Sequence, residues 1–141
     1  MNPIVKYFTI ASLTYLLLGA FIGLIMAIYP YSASYLLLTH VHLLLLGFVA
    51  MMIYSVGYHV LPRFSGFNLY SEKLITIQFF LTNIGLLGMS FTWIVSDDAP
   101  YRLIQVLSLS VFAAAEFTGI FIFIFNNIMT LSGKGGRMAQ D

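Results

Sequence analysis

Four long apolar stretches constrain what this sequence can fold into more than any other feature. A helix needs about 20 mostly apolar residues to cross the hydrocarbon core of a bilayer. The stretches that meet this length cover residues 5–29, 35–61, 74–96 and 103–129. The breaks between them contain Pro30, Pro62 and Pro100, which are typical of turns. The pattern predicts an all-α protein, an integral membrane four-helix bundle in one domain over residues 1–131, with a flexible cytoplasmic tail over 132–141.

Composition supports a membrane protein and excludes several other classes. Of the 141 residues, 60% are hydrophobic and 8% are charged, whereas about a quarter of the residues in soluble domains are charged. A net charge of +1 from six basic residues cannot form the basic stripe that nucleic acid requires. The absence of cysteine excludes disulfides, iron–sulfur clusters, thiolate zinc sites and covalently attached c-type heme.

The basic residues predict the orientation of the chain. Cytoplasmic loops of membrane proteins carry an excess of Lys and Arg. With the N-terminus inside, the cytoplasmic side would carry Lys6, Arg63, Lys73, Lys134 and Arg137, and only Arg102 would lie outside. We therefore expect a multi-pass protein of the cell (inner) membrane, embedded in lipid, with both termini in the cytoplasm (N-in/C-in).

Two histidines near the start of the second stretch are candidate metal ligands. Ionisable side chains within a span are costly and are functional candidates by default. His40 and His42 are two residues apart, which places them about 200° apart around a helix, so they must face different neighbours. Imidazole is a common metal ligand and an axial ligand of heme iron. The alternative is that both are hydrogen-bonded interfacial histidines near a helix end.

The face of the helix that contains His40 favours it as the ligand. That face continues through Gly47, Met51, Tyr54 and Tyr58. Gly47 offers a small residue where a flat porphyrin could lie against the backbone, so we include Gly47 and Tyr54 among the cofactor-binding candidates. The face of His42 continues through apolar residues only, which predicts a surface for lipid or for helix packing: Leu45, Val49, Ile53 and Val56.

His59 lies about 28 Å along the helix from His40 and cannot serve the same cofactor. It is a third candidate metal ligand, for a second heme at the cytoplasmic end. The alternative interpretation is an interfacial histidine beside Arg63.

Glu116 lies in the middle of the fourth stretch. It shares a helical face with Gln105, Ser108, Phe112, Gly119 and Asn126, which predicts a polar stripe turned into the bundle. Asn83 on the third stretch lies at similar depth and is the expected hydrogen-bond partner. Glu116 and Asn83 are therefore candidates for a proton path. A structural hydrogen bond that helps the helices associate is the alternative.

The second stretch resembles helix two of subunit I in the heme-copper oxidase superfamily, especially the cbb-type cytochrome oxidases and the nitric oxide reductases, and also short stand-alone proteins described as subunit I-like. The elements that match, over about 25 residues, are His40-Val41-His42-Leu43-Leu44, Gly47 and Tyr58-His59-Val60-Leu61-Pro62-Arg63. The resemblance implies that His40 is an axial ligand of a low-spin heme b. The chain departs from the family because the later helices, which carry the second axial histidine and the copper ligands, are not present in this sequence.

A heme with one ligand from this chain can be completed in three ways. A homo-oligomer, with a dimer favoured, would hold the heme between histidines of different protomers. Met89, at nearly the same depth as His40, would give His/Met ligation. A five-coordinate heme would leave an open position for NO or O2. Arg102 is placed to pair with the heme propionates at the outer surface.

Three functions remain. The first is a membrane cytochrome with one or two hemes b, for electron transfer or NO/O2 binding, served by an unidentified redox partner and not a complete enzyme. The second is a cofactor-free accessory or transport subunit, in which Glu116, Asn83 and the histidines line a proton or metal path. The third is a minimal oligomeric NO or O2 reductase with a second metal, copper being less favoured, held by His42 and Glu116.

Overall fold

The computed structural model describes residues 3–95 and 102–138 of the chain. Helix α1 covers Pro3–Ile28, α2 covers Pro30–Ser65, α3 covers Glu72–Val95 and α4 covers Arg102–Leu131. All four are long and apolar enough to cross a membrane, which confirms the predicted all-α membrane protein with four spans. The helices alternate in direction. One end of the bundle therefore carries most of the basic residues, and we call it the basic end: Lys6, Arg63, Lys73, Lys134 and Arg137.

Helix α2 extends further than its predicted boundary. The sequence predicted that a loop begins at Pro62, but the helix continues to Ser65. A proline lacks the N–H of an ordinary helical residue, so the helix has no backbone hydrogen bond from position 62. The Pro62 carbonyl accepts a hydrogen bond from the Gly66 N–H at 3.0 Å. Gly66 ends the helix with φ of 71°, a left-handed conformation that favours glycine.

The middle of α2 is a π-helix over Leu43–Ala50. Its i→i+5 hydrogen bonds widen the turn, so side chains before and after it do not keep the register of an ordinary α-helix. The hydroxyl of Ser12 on α1 donates to the Phe48 carbonyl within this stretch at 2.9 Å. The four apolar side chains of the surface predicted for lipid or for helix packing are exposed: Leu45, Val49, Ile53 and Val56.

Helices α3 and α4 pack closely against each other, and glycines allow their close approach. A Cβ atom added to Gly85 on α3 would lie 2.9 Å from both the Glu116 nitrogen and the Phe112 carbonyl oxygen on α4. On the other helix, Gly119 faces the methyl group of Thr82. Small residues at such contacts let helix backbones approach closely in a membrane, where packing replaces the hydrophobic effect.

The segment that follows α4 pairs with the loop between α2 and α3. Phe67 and Arg137 form an antiparallel bridge. The Asn68 N–H donates to the Gly136 carbonyl at 2.9 Å, and the Met138 N–H donates to the Gly66 carbonyl at 3.0 Å. Residues 136–138, predicted to belong to a flexible tail, are therefore hydrogen-bonded to the α2–α3 loop, while residues 139–141 lie outside the described residues.

Replacement of Gly85 by alanine tests the α3–α4 contact. The new methyl group would meet backbone atoms of Glu116 and Phe112, which cannot rotate away. We expect Gly85→Ala to lower the free energy of unfolding by about 1–3 kcal/mol, as is usual for overpacking. Denaturant titration of the protein in detergent micelles measures the change.

Gly57→Ala is the matched control, because the Cβ atom there would meet only the end of the Phe123 ring, at 2.9 Å. A side chain can adjust more readily than backbone atoms, so this variant should lose less stability than Gly85→Ala. Equal stability losses in the two variants would contradict the assigned role of Gly85.

Candidate functional site

His40 is held by helix α1. Its Nδ1 lies 2.8 Å from the Gly19 carbonyl oxygen, and its ring fills the space beside Gly23, where a Cβ atom would lie 2.8 Å from Cε1. A carbonyl oxygen can only accept a hydrogen bond, so Nδ1 must carry the proton. The neutral ring then keeps its lone pair on Nε2, and no hydrogen bond from the described residues engages that atom.

His42 faces the opposite neighbour, as the two-residue spacing predicts. Its ring packs against Trp93 of α3 with 4.4 Å between ring centroids. Its Nδ1 lies 2.8 Å from the Leu38 carbonyl oxygen of its own helix. The same argument places the proton on Nδ1 and the lone pair on Nε2. Both histidines at this end of α2 therefore have the tautomer that leaves Nε2 able to bind a metal.

His59 has the other tautomer. The Arg63 guanidinium Nη1 lies 2.8 Å from its Nδ1 and 2.7 Å from its carbonyl oxygen. Guanidinium groups only donate hydrogen bonds, so Nδ1 of His59 accepts and Nε2 carries the proton. Neither nitrogen offers a free lone pair in this arrangement. The geometry favours the interfacial histidine beside Arg63 over the ligand of a second heme.

Gly47 and Tyr54 do not form the porphyrin surface that the sequence suggested. A Cβ atom on Gly47 would lie 2.7 Å from Tyr15 and 3.0 Å from Leu86, so helices α1 and α3 already occupy the space beside it. Tyr54 is buried in an aromatic cluster, with ring centroids 5.8 Å from Phe8 and 4.7 Å from Phe123. The interior of the bundle has no room for a flat macrocycle along this face.

Among the described residues, neither Met89 nor Arg102 makes a hydrogen bond with the ring of His40. The Thr39 hydroxyl donates to the Ser90 carbonyl at 3.2 Å, which puts Met89 at the depth of His40. Met89 is buried on α3, however, whereas His40 is hydrogen-bonded to α1. Arg102 is exposed at the first turn of α4, at the end of the bundle opposite the basic end.

Glu116 lies in the bundle interior, as its position on the polar stripe predicts. Its side chain is 4% exposed, and both carboxyl oxygens are buried without a hydrogen-bond partner. The carboxyl lies against Gly85, where an added Cβ atom would be 3.1 Å from Oε2. Its electrostatic neighbours on other helices are the phenol groups of Tyr15 and Tyr54.

The predicted hydrogen bond between Asn83 and Glu116 is wrong. Asn83 accepts a hydrogen bond from the Tyr15 hydroxyl at 2.7 Å, and its amide donates to the Phe79 carbonyl at 2.7 Å. Asn83 lies two residues before Gly85, which points it about 200° away from the face that meets α4. Similar depth was therefore not enough to bring the two side chains together.

Sequence reasoning missed a row of buried polar side chains toward the basic end. Gln78 and Thr82 are fully buried on the α3 face that meets α4. The Tyr58 hydroxyl of α2 donates to Gln78 Oε1, while Gln78 Nε2 is buried without a partner. The signal was present in the sequence, because Gln78, Thr82 and Gly85 recur at the three- and four-residue spacing of one helical face.

A cavity of about 410 Å³ opens at the basic end, between the helix ends and the loop that pairs with the C-terminal segment. Tyr58 and His59 line its wall. Exposed polar side chains line its mouth: Arg63, Asn68 and Glu72. Tyr58 therefore lines the wall of a cavity that is open to the aqueous phase.

In residues 3–95 and 102–138, no three His, Cys, Asp or Glu side chains come together as a metal-binding group. His42 and Glu116, proposed above as ligands of a second metal, contact α3 at Trp93 and Gly85, which are about 12 Å apart along that helix.

No family model, curated protein or solved structure matches the chain. The resemblance to heme-copper oxidase subunit I therefore stays a prediction.

The hydrogen bonds predict different tautomers for the three histidines. Nitrogen NMR of protein labelled in its histidine rings, in alkaline buffer, should report Nδ1–H for His40 and His42 and Nε2–H for His59. Single His→Asn variants assign the signals. An Nε2–H tautomer at His40 would contradict the bond to Gly19, and the His59 signal serves as the internal reference.

Proposed function

We propose that the chain is a membrane heme b protein in which His40 binds the iron through Nε2. The observation that supports this best is the hydrogen bond from Nδ1 of His40 to the Gly19 carbonyl at 2.8 Å. Histidines that bind metals commonly donate their other ring N–H to a backbone carbonyl or a carboxylate, which fixes the tautomer and orients the ring. His40 has this arrangement without any metal being needed to impose it.

The His40 imidazole is suited to act as an axial ligand, whereas the interior of the bundle is not suited to enclose a heme. A neutral imidazole with a free lone pair is what heme iron requires. The space beside Gly47 is filled by Tyr15 and Leu86, so a macrocycle could not lie between the helices of one protomer there. We therefore propose that the heme lies at the lipid-facing side of α2, between two protomers of a homodimer.

A dimeric arrangement would give both histidines of this helix end a use. His40 is turned toward α1 and His42 toward α3, on opposite sides of α2. Each keeps Nε2 available, so His40 of one protomer and a histidine of the other could complete bis-imidazole ligation. Met89 is the weaker alternative, because the ring of His40 would have to leave the Gly19 carbonyl to reach α3.

Heme b supplies one-electron transfer or the binding of a diatomic gas such as NO or O2. The contribution of the chain is to hold the imidazole ring in one orientation and to surround the site with lipid and apolar side chains. A complete NO or O2 reductase is less well supported, because His42 and Glu116 are separated along α3.

We propose N-in/C-in insertion in the inner membrane, which would put the heme near the outer surface.

Absorption spectra of purified protein in both redox states test the proposal directly. Wild-type protein should show a heme b spectrum with sharp α and β bands after reduction. His40→Ala should lose most of the bound heme, because the axial nitrogen and its link to Gly19 are both removed. His42→Ala should lose heme only if the partner ligand comes from this position.

His59→Ala is the matched control, since His59 lies on the same helix but has its Nδ1 engaged by Arg63. It should keep the full heme content. Colourless wild-type protein with normal helix content and no iron or copper by metal analysis would reject the proposal and favour a cofactor-free accessory or transport subunit.

Arg102→Ala probes the position of the heme propionates. A guanidinium beside a propionate stabilises the negative charge of that propionate. A paired propionate then stabilises the oxidised iron less than an unpaired propionate does. We expect Arg102→Ala to shift the midpoint potential or reduce heme content, measured by redox titration, whereas Lys6→Ala at the basic end should change neither. An unchanged potential and heme content in Arg102→Ala would place the propionates elsewhere.

A further inference from the structure

We propose that the bundle contains a proton path that connects the buried Glu116 carboxyl with the aqueous cavity at the basic end, by way of the Tyr54 and Tyr58 hydroxyl groups. This path does not depend on a heme. It is assembled from side chains of α2, α3 and α4, and it lies in the half of the bundle away from His40.

Glu116 is the inner end of the path. Both of its oxygens are buried without a partner among the described residues. A carboxyl whose only purpose was to join helices would be hydrogen-bonded to one of them. The titratable groups that face it are Tyr15 of α1 and Tyr54 of α2, and the face of α3 against it is Gly85.

Tyr54 and Tyr58 carry the path along α2. They are four residues apart on one face of the helix, about 6 Å along its axis. The Tyr54 phenol is near enough to Glu116 and to Tyr58 to interact with them electrostatically, without a direct hydrogen bond between them among the described residues. Each phenol can donate one proton and accept another through the same oxygen, which is the property that a relay of protons needs.

Gln78 positions the outer phenol. The Tyr58 hydroxyl donates to its Oε1, which fixes the ring between α2 and α3. The Nε2 of Gln78 remains buried and without a partner. Buried polar groups of this kind are usually satisfied by ordered water. Water beside Gln78 and Glu116 would satisfy these orphaned atoms and would bridge the steps of the path.

The cavity at the basic end supplies the aqueous connection. Tyr58 lines it, together with exposed Arg63, Asn68 and Glu72 at its mouth. Exchange breaks the carboxyl O–H bond of Glu116 and forms a new one, because one proton leaves along the path to the cavity and a second proton from the cavity replaces it. No electron is transferred, so the exchange needs no oxidant, reductant or other reactant.

Infrared spectroscopy of the full-length protein in lipid bilayers tests this path. The C=O stretch of a protonated carboxyl is separate from carboxylate bands and shifts when H2O is replaced by D2O. The Glu116 band should be absent in Glu116→Gln and displaced in Glu116→Asp, which covers the case in which one variant does not fold. If no protonated-carboxyl band responds to either variant, the proposal is overturned.

The rate at which this band shifts after the change to D2O tests the route. Tyr58→Phe removes one hydroxyl and keeps the ring, and Tyr54→Phe does the same one turn deeper. Loss of one hydrogen-bonding group from the path should slow the exchange about tenfold. Far-ultraviolet circular dichroism checks that the helix content is unchanged.

Tyr15→Phe is the matched control. Its phenol also faces Glu116, but it is hydrogen-bonded to Asn83 and does not lead to the cavity. Thr39→Val probes entry from the opposite end, where the Thr39 hydroxyl is buried against Ser90. The proposal would be overturned if exchange slowed as much in either control as in Tyr58→Phe. It would also be overturned if exchange stayed at the wild-type rate in both Tyr54→Phe and Tyr58→Phe.

Discussion

The close approach of α3 and α4 at Gly85 determines where the polar groups of this bundle lie. Lipid provides neither hydrogen bonds nor a hydrophobic force between helices, so association depends on packing at small residues. With Gly85 against the backbone of α4 and Gly119 against Thr82, the polar stripe of α4 cannot turn toward lipid. Glu116 is buried as a result of this contact, and Gln78 and Thr82 are enclosed along the same interface.

The sequence could predict the features that depend on neighbouring residues, but not those that depend on how the helices pack. Span length and turn residues are local, so the four helices were predicted to within a few residues. The opposite directions of His40 and His42 follow from helical geometry alone. The pairing of Asn83 with Glu116 failed because depth follows from residue counting, whereas the direction of a side chain depends on how the helices are rotated. The π-helix at Leu43–Ala50 breaks the register on which the assignment of Gly47 and Tyr54 to a cofactor surface depended.

The partners of the three histidines separate residues that the sequence could not distinguish. A carbonyl oxygen and a guanidinium group impose opposite tautomers on a neutral imidazole. Gly19 and Leu38 provide carbonyls to His40 and His42, whereas Arg63 provides N–H groups to His59. The Arg63 side chain follows His59 by one helical turn, so this last contact was open to prediction. The Gly19 contact was not, because it depends on the packing of α1 against α2.

The environment of Glu116 also bears on the two interpretations that its sequence position allowed. A structural carboxyl stabilises a bundle through the hydrogen bonds that it makes, and the described residues offer this one none. A buried polar group left in that state costs about 1–3 kcal/mol, and an apolar residue of similar size would avoid the cost. The unpartnered carboxyl is compatible with exchange of its proton, which is the interpretation proposed above. Its phenol neighbours, Tyr15 and Tyr54, can stay uncharged while they donate and accept protons, and this is compatible with a site buried between membrane-spanning helices.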